Sequence, residues 1–193
     1  MKRTTVEQGA VLAVLVAAGV GLRFYFQDIP NFAPVAAVAL FAGFFFHSRL
    51  LAAIAPLSVM LITDFFIGGY QPLLMATVYG LLMLPVLMRG YLRGRFLQGE
   101  NTSAAIASVL GLLLCTLAAS VLFFVATNFA TWLTTPWYPR TVSGLGQCYA
   151  NAIPFFRYTL AGDLSFATVL FGSYAAYRLL FPQLDRADTL VRA

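Results

Sequence analysis

Residues 102–128 read TSAAIASVLGLLLCTLAASVLFFVATN, and no charged side chain occurs between Glu100 and Arg140. A helix rises about 1.5 Å per residue, so such a run exceeds the roughly 30 Å hydrocarbon core of a bilayer. An amphipathic helix of a water-soluble fold would carry charged residues along one face. This stretch carries none, and its few polar residues are Ser, Thr and Asn. It is predicted to be a transmembrane helix, and the rest of the chain is read outward from it.

The 193 residues are 61% hydrophobic and 10% charged, with mean hydropathy +0.83. A soluble domain carries roughly 25% charged and 45–50% apolar residues. Lipid must therefore solvate much of this surface, and the chain is too short to add a sizeable soluble domain. Apolar runs bounded by charge, Pro and Gly place spans at about 8–26, 32–46, 50–67, 73–91, 102–128 and 160–181. The expected fold is an all-α polytopic membrane protein, a bundle of about six transmembrane helices forming a single domain over 1–193. The second span is short and rich in Ala and Phe, with Pro34 suited to its first turn. Gly68-Gly69-Tyr70-Gln71-Pro72 breaks the helix after the third, and Pro182 stops the last. The first span is followed by Arg23-Phe24-Tyr25-Phe26 rather than by small residues, and is read as a retained helix. Between the fifth and last spans, residues 142–156 are apolar but contain Gly144, Gly146 and Pro154. They are expected to form an interfacial or re-entrant segment.

Charge orients the bundle. With six spans and both termini cytoplasmic, the inner segments hold Lys2, Arg3, Arg49, Arg89, Arg93, Arg95, Arg178, Arg186 and Arg192. The outer ones hold only Arg23, Arg140 and Arg157, nine against three as the positive-inside rule prefers. A seven-span arrangement would reduce the bias to seven against five. The net charge of +5 is dispersed at the ends of apolar runs, which argues against a nucleic-acid partner.

This topology collects Arg23, Asp28, Asp64, Arg140, Arg157 and Asp163 at the outer side. An ionised carboxylate facing lipid at mid-bilayer costs roughly 2.5–3.5 kcal/mol on insertion scales, so Asp64 should face the bundle and pair. Arg23 and Arg157 are its natural partners. Asn31, Tyr70, Gln71, Asn128, Gln147, Tyr149, Asn151 and Tyr158 share the layer with the rings of Phe24, Tyr25, Phe26, Phe155 and Phe156. A cavity lined by rings with a few convergent polar groups suits a small, partly aromatic or anionic solute. The candidate substrate-binding residues are Arg23, Asn31, Asp64, Tyr70, Asn128, Arg140, Arg157 and Asp163. The competing reading is a set of ion pairs joining helix ends.

Gly9, Ala13, Ala17 and Gly21 recur every four residues along the first span. Small side chains on one face admit a second helix closely, either within the bundle or from a separate membrane subunit. No catalytic residues, metal ligands or cofactor are expected. His47 is solitary, Cys115 and Cys148 lie at different depths, and an Asp64–Asp163 protease pair would lack flanking motifs. No Gly-Lys-Ser/Thr phosphate loop occurs, so ATP-driven work would need a partner ATPase.

The strings 31–37 (NFAPVAA), 63–70 (TDFFIGGY), 127–130 (TNFA), 138–141 (YPRT) and 152–157 (AIPFFR), with Gly162-Asp163, span nearly the whole chain. They resemble a family of uncharacterised bacterial membrane proteins labelled as transport proteins. That family is similar in plan to the substrate-binding (S) components of energy-coupling-factor transporters. The resemblance implies a multi-pass protein of the bacterial inner membrane with an outward pocket. It also implies a first helix that docks a transmembrane coupling subunit through small residues, here Gly9, Ala13, Ala17 and Gly21. The expected role is a substrate-capturing subunit for a small solute. The alternative is a structural or assembly subunit of a larger membrane complex.

Overall fold

The computed structural model describes residues 5–97 and 102–181. Lys2, Arg3, Arg186 and Arg192, four of the charges used for orientation, lie outside the described residues. Among the described residues the chain is helical throughout, with no strand. The elements are α1 (Thr5–Tyr25), α2 (Val35–Phe45), α3 (Arg49–Ile67), α4 (Pro72–Leu87), α5 (Arg89–Leu97), α6 (Thr102–Thr134) and α7 (Val142–Leu180). Only Met88 separates α4 from α5.

Four helical stretches are long and apolar enough to cross a membrane: Thr5–Tyr25, Arg49–Ile67, Pro72–Gly94 and Ala105–Thr134. Their outward faces are apolar. On α6, Leu114, Leu117, Val121, Leu122 and Val125 are all exposed. Such a continuous apolar exterior is disfavoured in water and is what lipid solvates.

α2 is the axis of the bundle. It has 11 residues, of which only Ala36 is not buried, and it touches every other helix. A helix apolar on all sides is stable only when enclosed, and the Ala- and Phe-rich sequence of α2 meets that condition. Phe41 and Phe44 pack on Phe171 of α7, each with centroids 5.3 Å apart, and Phe44 also meets Tyr174 at 5.1 Å. At the far end, Phe32 packs between Phe26 and Phe166 at 4.9 and 5.2 Å.

The C-terminal carbonyls of α2 would be orphaned where the chain leaves the helix. Arginines at the start of α5 cap them. Arg93 Nε donates to the Phe44 carbonyl at 2.8 Å, and its Nη2 reaches the Phe45 and Phe46 carbonyls. Arg89 Nη2 donates to the carbonyls of Phe46 and His47.

Local chemistry sets the other boundaries. The Gln71 side chain accepts from Leu74 N at 2.6 Å, and Pro72 opens α4. Gly68 ends α3 with φ of 103°, a conformation that side chains resist. Asn31 turns the chain into α2 with φ of 61°, a region Asn enters more readily than most residues.

One expectation needs correction. Residues 142–156 do not form a separate interfacial or re-entrant element; they are the first part of α7, a single helix of 39 residues. Thr141 caps it by accepting from Gly144 N at 3.1 Å. The missing side chain of Gly144 serves packing, since a Cβ there would lie 2.1 Å from the Pro139 carbonyl oxygen. Pro154 costs one backbone bond inside a helix that continues through it. At about 1.5 Å per residue α7 is about 58 Å long, much more than a hydrocarbon core.

Candidate solute cavity

Arg23 stands in the last turn of α1, where a cation complements the helix dipole. Its Nη2 lies 2.7 Å from Oδ1 of Asp64 on α3, and its Nη1 donates to the Thr63 hydroxyl. The second carboxylate oxygen of Asp64 accepts from the Tyr79 hydroxyl of α4 at 2.9 Å. Asp64 is thus buried, paired and hydrogen-bonded on both oxygens, as a carboxylate removed from water requires. Arg157 plays no part in this pairing.

Beside this pair opens a cavity of about 460 Å³, within the usual range for small-molecule sites. Its walls come from the α1–α2 turn, the first turn of α2, and α4, α6 and α7. The rings of Phe26, Phe32, Phe123, Phe124, Phe155 and Phe156 line it, interrupted by polar groups. Among the candidates, Arg23, Asn31, Tyr70, Asn128 and Asp163 face it. Asp64 sits behind Arg23 and fixes it. Burial first, and then the Asp64 carboxylate, push the Tyr70 phenol up to about 12, while Arg23 acts in the opposite direction. Tyr70 is therefore a neutral hydroxyl at physiological pH.

Two candidates lie elsewhere. Arg140 is exposed and rests over the Trp132 ring, 5.8 Å from its centroid. Arg157 is exposed, stacked on Tyr158 at 4.7 Å and donating to its hydroxyl at 2.8 Å. The continuity of α7 explains the second case. Six residues of helix separate Arg157 from Asp163, which turns their side chains roughly 120° apart. Ala152, Phe156, Thr159 and Asp163 fall on one face at intervals of three and four residues, and all four line the cavity. That spacing is legible in the sequence once the helix is taken as unbroken. Thr127 and Thr131 of α6, also lining residues, follow the same rule.

Asp163 is 5% exposed. Its Oδ2 accepts from the Ser120 hydroxyl of α6 at 2.6 Å. Its Oδ1 has no hydrogen-bond partner among the described residues. Ser120, missed in the sequence, sits one turn after Thr116 and also reaches that residue's carbonyl at 2.9 Å.

The stripe on α1 faces away from the bundle. Gly9, Ala13, Ala17 and Gly21 are all exposed, and nothing lies within 4 Å of a Cβ placed at Gly9 or Gly21. The packed face of α1 is the one bearing Leu15 and Gly19, where a Cβ on Gly19 would meet Val59 at 2.7 Å.

The fold defines the chain as a helical bundle with helices long and apolar enough to cross a membrane and a cavity at one end of its central helix. Residues 3–184 match a family of unknown function, DUF6580, and the chain belongs to that family. No curated protein and no solved structure matches it.

Proposed function

We propose that the chain is a small-solute-capturing subunit of a transport system in the bacterial cytoplasmic membrane, with its termini inside and the cavity opening outward. The observation that carries this reading is the cavity itself: a ring-lined space of about 460 Å³ with a buried carboxyl in its wall. A bundle serving only as scaffold would fill that space with side chains, since interiors pack densely. The orientation is supported by Arg49, Arg89 and Arg93, which lie at the opposite end of the bundle from Arg23 and the cavity.

Mass spectrometry of small molecules released from the purified protein tests the reading. Wild type is expected to release a stoichiometric solute, and Ala36→Trp, which fills the cavity beside the first turn of α2, is expected to release none. An empty wild type that purifies only with other membrane proteins would instead favour an assembly role.

The exposed stripe on α1 supports a coupling partner within the same reading, such as a transmembrane subunit serving an ATPase. Ala17→Leu adds bulk on that face without touching the cavity. It is expected to abolish co-purification of the partner while leaving the solute load unchanged. A complex that survives Ala17→Leu would remove the stripe from the argument.

A further inference from the structure

We infer that the cavity selects a ring-bearing organic cation, whose positive nitrogen lies against Asp163; this rests on the solute-capture reading above. Three carboxylate and guanidinium groups stand in or directly behind the cavity wall, and their charges do not cancel. Arg23 is committed to Asp64, and that is the sole salt bridge among the described residues. Asp163 is left over. It is buried, it lines the cavity, and its one partner is the neutral hydroxyl of Ser120.

The turn leading into α2 is a nearby source of compensation. Gly162 packs against it, with a Cβ position 3.3 Å from Ala33 N. A helix end carries only about half a positive charge, and no N–H from this turn bonds the carboxyl. Oδ1 therefore remains open to a donor from the cavity, and the site remains net negative while it is ionised. An anionic solute would meet an unpaired carboxylate in a low-dielectric wall, with Arg23 already neutralised. A cation meets an acceptor and a set of aromatic faces. Phe32, Phe123, Phe124, Phe155 and Phe156 line the cavity, and aromatic rings attract organic cations.

The test compares two probes of similar size and opposite charge, benzylammonium and benzoate, by equilibrium dialysis against the purified full-length protein. Benzylammonium is expected to bind at least tenfold more tightly, and Asp163→Asn is expected to erase that preference. The wild-type comparison requires no variant, so poor folding of Asp163→Asn does not blunt the test. Equal or tighter binding of benzoate, or a preference that survives Asp163→Asn, overturns the charge assignment and leaves solute capture standing. An anionic solute in the released fraction overturns it in the same way. No binding of either probe, together with an empty wild-type protein, overturns capture itself and the charge assignment with it.

Discussion

Arg23→Met is expected to destabilise the bundle by about 3–5 kcal/mol, the usual consequence of stranding a buried charge by removing its partner. Arg23 Nη2 meets Asp64 Oδ1 at 2.7 Å, and the Asp64 side chain is 4% exposed. Without the guanidinium, Asp64 keeps only the Tyr79 hydroxyl, a neutral donor, and must protonate or draw in water. The double variant Arg23→Met/Asp64→Leu should be far milder than the sum of the two single changes, because no charge is left to strand. Unfolding midpoints in detergent for the four proteins of this cycle measure the coupling. Additive effects would show that the pair is not the joint holding α1 to α3. Solute loading should fall in both single variants, since Asp64 fixes the arginine that lines the cavity.

Arg93→Met is expected to cost more than about 3 kcal/mol, from the loss of several hydrogen bonds worth about 1.5–3 kcal/mol each when the donor is charged. The Arg93 guanidinium serves the carbonyls of Phe44, Phe45 and Phe46 together. These are the last carbonyls of α2, on residues that are themselves buried, so water substitutes poorly for the guanidinium. Arg93→Lys should recover only part of the loss, because one ammonium cannot spread over three acceptors as a planar guanidinium does. Unfolding midpoints again provide the measurement. An Arg93→Met protein within about 1 kcal/mol of wild type would mean that Arg89 alone suffices for the cap.

Much of this architecture is written in the sequence because the bilayer imposes lengths and charge placement that leave few alternatives. The bounds of α1 and α3 follow from apolar runs ended by Arg23 and by Gly68-Gly69. That Asp64 pairs follows from the expense of an unpaired carboxylate, but the sequence leaves Arg23 and Arg157 both as partners, and the structure pairs it with Arg23. The continuity of α7 does not, because Gly144, Gly146 and Pro154 are read as breakers when their neighbours are unknown. Gly144 is there to pass the Pro139 carbonyl, a contact no local pattern reveals. With α7 taken as broken, the phase of Arg157 relative to Asp163 is left open. Arg89 and Arg93 were legible as basic residues at a span end, and their role as caps required knowing that α2 stops beside them. The cavity residues are legible as types sharing a layer; helix phase separates Asp163 from Arg157, and Arg140 lies in the connection between α6 and α7.

The shortness of α2 has an electrical consequence. Eleven residues make a helix about 16 Å long, roughly half the thickness of a hydrocarbon core of about 30 Å. In the proposed orientation, water filling the cavity carries a high dielectric down to the first turn of α2, and the Arg93 cluster marks the other end. The membrane voltage then falls mainly along α2, so the field there is nearly double that in plain bilayer. At about 2.3 kcal/mol per unit charge per 100 mV, a cation held at Asp163 already sits at the edge of that drop.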